Sequence, residues 1–523
     1  MDEKGNPGVV TYNPFSVYAL EAVVSMSPSQ LEILATAGES DVASCAYNNT
    51  VRISVDGELD LPAFTKAAGL LIGRHQSLRA TFHLESRTMC IASEMDAEVK
   101  SADVSQLDVQ SRYINLEKIG RSEAETPFDL VTGPLIRFHT VKTNEKVFFV
   151  FMVSHQLVVD HWTLDLLADE IAELYSSIVE ARASELPPAV PYVQYARWLQ
   201  DPSVTDRYSD NLKYWLSKLR EPREYVAIAG SMERAAIRGY RASRSVRRIS
   251  DDLAASVLAQ AATEKSTFFV ATLACYVSLL SRIAGPGWIC IGIPAAGQLQ
   301  FGQNRLAGGC INTLPLVIEM DPAMTFRECL QAVRKEMYAA QSYTPFTYTE
   351  VLSVIDSSGN DGRLPIITTM FNVDQENHVL KLSGVKASYT IEERSSEKFE
   401  ISMNVVNNSQ GSEVQCYFND DIFLADDRSH FLNAYVTVLG KFVEDPNLRI
   451  CDVEIDTGLL ERAVNVDHSK EPRLGDRFAA QSSGKGNRAF GTVPSEAFAR
   501  WQADAVTEEF DLSIRLRPTS PKN

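Results

Sequence analysis

Cysteine pairs at metal-binding or redox spacing are missing from this sequence. Its eight cysteines, at 45, 90, 275, 290, 310, 329, 416 and 451, include no CxxC pair, and most sit in apolar runs such as TLACYVSLL around Cys275. This excludes a zinc ribbon or a thioredoxin-like motif and fits buried free thiols in a reducing cytosol. Basic charge is also scarce: 50 Lys and Arg against 68 Asp and Glu leave a net charge of −18. Nucleic-acid backbones and anionic membranes both call for a basic face, so neither is expected as a partner. No run reaches the ~18 apolar residues of a membrane span. The opening MDEKGNPGVV lacks the basic-then-apolar order of a secretion signal. There is no GxxxxGK[ST], no GxSxG, no HExxH and no Cys/His ligand set, and the eight histidines are scattered. A cytoplasmic, soluble monomer without a metal or a bound cofactor of its own is the expectation.

The chain has 523 residues, 45% of them hydrophobic, enough for more than one core without disulfides. Its elements fall into two α/β halves. Leu61–Ile72 reads as an amphipathic helix. Val147–Val153 (VFFVFMV) is a continuous apolar run whose length and aromatic/β-branched content fit a strand buried on both faces. A helix follows, with Trp162, Leu166, Leu167, Ile171, Leu174 and Ile178 mostly three or four apart. The proline-rich stretch from 184 reads as a connector. In the second half, helices are expected near 251–265, 267–283 (stopped by Gly285), 325–341 (with Thr325 as N-cap) and 423–443. Strands are expected at 288–293, 311–318, 366–373, 401–406 and 414–418. The resulting partition is an N-terminal lobe at 16–183, a connector at 184–245, a C-terminal lobe at 246–455 and a linker-like tail at 456–523, which is charged and Gly/Ser-rich at its start.

Between the buried strand and its helix lies Ser154-His155-Gln156-Leu157-Val158-Val159-Asp160-His161. This segment resembles the HHxxxDG motif of the condensation domains of nonribosomal peptide synthetases. The resemblance continues in order through SPSQ (27–30), RHQSLRATF (74–82), PYVQYARW (191–198), IGIPAAGQ (291–298), GGCINTLPL (308–316), QSYTPF (341–346) and KFEI (398–401). The departures are Gln156 at the second histidine, His161 at the glycine, Gln298 at an arginine, Gln194 and Arg197 in the connector motif, and the histidine and aspartate lost from QSYTPF. The resemblance implies two chloramphenicol-acetyltransferase-like lobes in a V, with a central tunnel that meets the 154–161 loop. It also implies an acyltransferase that joins a carrier-bound acyl or aminoacyl thioester to an amine or a hydroxyl. Phosphopantetheine would then be presented by peptidyl or acyl carrier proteins or neighbouring synthetase domains.

Acyl transfer to an amine needs the nucleophile held in place, a proton removed and an oxyanion stabilised. Gln156 cannot take up a proton near neutral pH, but its amide can position a substrate by hydrogen bonding. The alternative is a relic of a silent site. By resemblance His155 orders the loop and Asp160 forms an ion pair with Arg79; Asp160 is equally placed to cap the following helix. Three readings of His161 stay open: it blocks the tunnel, it replaces the lost base, or it points away as a helix-start residue. Trp162 is expected in the core or lining the tunnel, and Ala295, Ala296, Gly297 and Asn312 beside it. Pro294–Gly297 is expected to cross between the halves. The competing function is a silent relative that recruits a tailoring enzyme or carrier protein.

Overall fold

The computed structural model describes residues 13–455 apart from 39, 221–231, 233–238, 345–347, 349–350, 352–366, 377–378 and 409–410. The tail from 456, part of the expected connector, and Pro345–Phe346 of QSYTPF lie outside the described residues.

The N-terminal half contributes β1 (Leu20–Ser25), β2 (Asn48–Asp56), β3 (Ala80–His83), β4 (Thr88–Ala92), β5 (Val99–Asp103), β6 (Ile136–Asn144) and β7 (Val147–His155). The C-terminal half contributes β8 (Ala242–Ile249), β9 (Gly287–Ala296), β10 (Ile311–Met320), β11 (Thr369–Glu376), β12 (Val379–Leu380), β13 (Lys386–Ile391), β14 (Ile401–Asn408) and β15 (Gly411–Asn419). They form two six-stranded sheets, β12-β13-β2-β7-β6-β5 and β10-β9-β11-β14-β15-β8, and a small third sheet, β1-β4-β3.

The apolar run becomes β7, which is paired on both sides and buried at all but two of its nine positions. Packing on both faces explains why its hydrophobicity is continuous rather than alternating. The helix after it runs from His161 to Val179, and Asp160 caps it by accepting from Thr163 N. In the second lobe, the helix Phe268–Ala284 is buried at thirteen positions and ends at Gly285, whose φ of 83° suits a residue without a Cβ. Thr325 caps the helix Phe326–Ser342 in a capping box with Glu328. Among the described residues no single helix is long and apolar enough to cross a membrane.

Each six-stranded sheet has its own hydrophobic core, the small sheet sharing the first, but the chain does not respect a partition at residue 246. β12 and β13 belong to the sequence of the second lobe yet extend the sheet of the first: β12 pairs with β13, and β13 pairs with β2, Lys386–Ile391 running antiparallel to Val51–Asp56. Leu380, Leu382, Ala387 and Tyr389 consequently enter the first core. Leu306, Ala307 and Cys310, from the β9–β10 connection, do the same. In the other direction the helix Pro202–Arg220 inserts Leu212, Trp215 and Leu219 into the second core.

Candidate active site

The 154–161 loop is held by backbone hydrogen bonds on three sides. Gln156 N donates to Tyr47 O at 2.9 Å. Leu157 O accepts from Gln30 Nε2 at 3.0 Å, and Val159 O from Asn49 Nδ2 at 3.0 Å. Gln30 is the last residue of SPSQ, and its Oε1 also accepts from Ser27 N in a capping box. That motif fixes a helix start and clamps the loop with the same side chain.

His155 is fully buried between Tyr47 and Phe128. Its Nδ1 accepts from Leu157 N at 3.3 Å, and its Nε2 lies 3.5 Å from Ser44 Oγ. Burial pushes the imidazole down to about 3, since desolvation disfavours the charged ring. A neutral histidine that accepts a loop N–H organises the turn.

Asp160 is fully buried as well. Besides Thr163 N, at 2.9 Å, it accepts from Gln298 Nε2 and from Cys310 N, both at 2.9 Å on Oδ2. Burial raises its pKa, against the lowering effect of these donors. The expected ion pair with Arg79 does not form. Arg79 sits at the end of the turn Gln76–Arg79, and its Nη1 donates to Glu21 Oε2 on β1 at 2.6 Å and to Ala92 O on β4. The small sheet supplies Arg79 with acceptors, and the β9–β10 connection supplies Asp160 with donors. Gln298 at an arginine position leaves the buried carboxylate facing an uncharged amide. In the sequence this glutamine stands out as a departure, but nothing there links it to Asp160.

The crossing between lobes is made by residues 297–310 rather than Pro294–Gly297. Pro294, Ala295 and Ala296 stay in β9, opposite Thr313, Asn312 and Ile311 of β10. Beyond them, Gly308 N donates to Thr163 Oγ1 and Thr163 Oγ1 donates to Gly308 O, at 3.1 and 3.0 Å. A Cβ on Gly309 would stand 2.5 Å from Gln156 O and 2.6 Å from Leu157 O, so only glycine permits this approach. One on Gly297 would meet Cys310 O and the Tyr195 hydroxyl at 2.5 Å.

His161 faces an open cleft bounded by both lobes, with about 620 Å³ of atom-free space including its solvent-open side. Thr50 of β2, Glu392 and Arg394 after β13, Asn404 of β14 and Tyr417 of β15 lie around it. His161 itself is half-buried in the wall of this cleft. Gln156 is half-buried, and its side-chain amide makes no hydrogen bond among the described residues; it is not part of the cleft wall. Trp162 is neither core nor cleft lining: it is half-buried and its Nε1 donates to Asn304 O at 2.8 Å. Ala295, Ala296, Gly297 and Asn312 do not line this cleft either, although the Asn312 Oδ1 is buried without a hydrogen-bond partner among the described residues.

The sequence profile of the Condensation domain family matches residues 21–457. The chain belongs to the condensation-domain family. Among its curated relatives is a linear gramicidin synthase of Brevibacillus parabrevis, 26% identical over 435 residues, which cover 81% of this chain and 8% of that protein. This condensation domain therefore spans a small fraction of the synthetases it matches. Two solved structures share its fold. One is the complex of the X-domain and OxyB from teicoplanin biosynthesis, with a TM-score of 0.71 and 19% identity, covering 84% of this chain and 98% of that chain. The other is the first condensation domain of the calcium-dependent antibiotic synthetase in complex with a substrate analogue, with a TM-score of 0.71 and 15% identity, covering 84% and 100%. The two-lobed arrangement is thus the chloramphenicol-acetyltransferase-like pseudo-dimer of condensation domains.

Proposed function

We propose that this condensation domain transfers an acyl or aminoacyl group from a carrier-bound thioester to an amine acceptor, with His161 as the proton acceptor. The observation that carries this reading is the position of His161: an imidazole at the helix start, facing a cleft that both lobes wall. In the transfer, the acceptor nitrogen forms a bond to the thioester carbonyl carbon and the carbon–sulfur bond breaks. The proton leaving nitrogen passes through the imidazole to the pantetheine thiolate. Histidine is suited to this because its ordinary pKa, ~6.5, lets it take and return a proton near neutrality. Gln156 would orient the acceptor by hydrogen bonding, and His155, buried and neutral, would hold the loop. Peptidyl or acyl carrier proteins are the partners this reading calls for.

The test is reconstitution with loaded donor and acceptor carriers, the product being read by mass spectrometry. His161→Ala is expected to lower the rate about 10²–10⁴-fold, and full activity in that variant overturns the reading. A second reading is a catalytically silent domain that recruits another protein. It is favoured by the exchange of both the second histidine and the glycine of the motif, and by the likeness to an X-domain solved together with OxyB. Product formed only by the double variant Gln156→His, His161→Gly supports that second reading.

A further inference from the structure

Two opposite charges stand unpaired beside the 154–161 loop, outside the wall of the cleft at His161. Glu32 is on the helix Pro28–Ala37, two residues after Gln30, whose side chain clamps Leu157 O. Lys398 belongs to the second lobe, shortly before β14. Its Nζ reaches across to lie 5.1 Å from the centre of the Tyr47 ring, and Tyr47 O is the acceptor of Gln156 N. The same ring lies 6.2 Å from the His155 imidazole. Among the described residues neither Glu32 nor Lys398 makes a hydrogen bond or an ion pair through its charged atoms. Glu397, the other anion near Lys398, is taken up by Arg394 and by the N–H groups of Lys398 and Phe399. Burial raises the Glu32 carboxyl and lowers the Lys398 ammonium, and each charge partly offsets that effect on the other. The two are close enough to feel one another and too far apart to pair. Both side chains are only half-buried, and their charged atoms stay open to solvent. Charges crowded by protein yet reached by water line an interior passage, not a core.

A desolvated charge without a partner is costly, so each of these groups calls for a counter-charge. A simple anion on Lys398 would be repelled by Glu32, and a simple cation on Glu32 would be repelled by Lys398. A ligand with an ammonium at one end and a carboxylate at the other satisfies both through charge-assisted hydrogen bonds. We infer that Glu32 and Lys398 bind a zwitterionic α-amino acid, ammonium to Glu32 and carboxylate to Lys398, so that the amine acceptor of this domain is a free amino acid. An amino acid held on a carrier through its carboxyl has no α-carboxylate to offer Lys398. An acidic side chain on a carrier-bound residue is the other source of a carboxylate, and the experiment separates the two. The inference rests on the acyl-transfer reading and names the class of acceptor.

The experiment screens the common free L-amino acids against the full chain by thermal shift. The tightest binder is then compared by calorimetry with its methyl ester, which lacks the carboxylate, and with its N-acetyl derivative, which lacks the ammonium. The free amino acid is expected to bind about tenfold or more tightly than either derivative. Lys398→Met is expected to remove most of the preference over the methyl ester, and Glu32→Gln most of the preference over the N-acetyl form, with circular dichroism confirming each fold. If one variant does not fold, the other and the wild-type ranking still decide. Absence of binding by every free amino acid overturns the inference, as does a methyl ester that binds equally well or a preference unchanged in a folded variant. The N-acetylcysteamine thioester of aspartate tests the second source: tighter binding than any free amino acid assigns the carboxylate to a side chain and overturns the free acceptor. Binding needs no turnover, so a domain that binds a free amino acid but transfers nothing to it from a loaded donor carrier sinks the catalytic reading alone. Transfer to carrier-loaded acceptors with no free amino acid bound sinks this inference alone.

Discussion

At Asp160, three hydrogen bonds converge on a carboxylate that has no ion-pair partner among the described residues, and two of the donors, Gln298 Nε2 and Cys310 N, reach over from the β9–β10 connection. Asp160→Ala would strand these donors in the interior, at ~1–3 kcal/mol for each unpaired group. A double-mutant cycle separates this arrangement from the ion pair expected by resemblance. Asp160→Ala and Gln298→Ala should couple by ~0.5–3 kcal/mol, whereas Asp160→Ala and Arg79→Ala should add to within ~0.5 kcal/mol; urea denaturation reads both. His155 gives a pH signature. Its imidazole sits near 3 when folded against ~6.5 when free, so between those values the unfolded chain holds the extra proton. Stability is then fully present above about 6.5 and declines as the pH falls toward 3, by at most ~1.4 kcal/mol per pH unit from this group. In His155→Gln the total stability should drop while the slope between pH 6.5 and 5 flattens, as measured by urea titrations at fixed pH. The role of Asp160 as a cap was legible because aspartate before a helical pattern is a strong local signal. Its distant partners were not, because Gln298 and Cys310 come 138 and 150 residues later and no local rule joins them.

Elements with a local cause could be read from sequence alone. The 147–155 strand, the 161–179 helix, the Thr325 cap and the Gly285 stop follow from composition, period and turn chemistry. β13 could not be read, because KASYTI is short and its partner strand is more than three hundred residues earlier. The β9–β10 connection was only partly legible: glycines in GGC signal a close approach, but not to which backbone. That approach is testable. Gly309→Ala forces a methyl against two carbonyl oxygens of the 154–161 loop, and backbone cannot step aside as a flexible side chain can. A loss of about 1–3 kcal/mol is expected, along with reduced product formation, because the loop carrying Gln156 and His161 must shift. Thermal unfolding and the carrier reconstitution measure the two effects separately.

For the molecule as a whole, the exchange of segments makes the first lobe dependent on the second. Without β13 the strand β2 becomes an open edge, and without Leu306, Ala307 and Cys310 the first core loses part of its packing. Residues 13–198 expressed alone are therefore expected to aggregate or to lack a cooperative unfolding transition, by size-exclusion chromatography and circular dichroism. A soluble, cooperatively folded fragment would contradict this. The partition suggested by the sequence, with one lobe ending where the connector begins, follows chain order; hydrogen bonding follows a different order.

β13 also has a kinematic consequence. It is bonded to β2, and Glu392 N continues the ladder by donating to Thr50 O at 2.8 Å. Glu392 is thereby bonded to the first lobe, whereas Glu393 pairs with Arg244 of β8 and Arg394 N donates to the Tyr417 hydroxyl of β15, at 3.5 Å, in the second. The stacking of Arg394 on Tyr417 reinforces that second attachment, so three consecutive residues are anchored in both lobes and a hinge rotation between the lobes would have to strain or break one of these anchors.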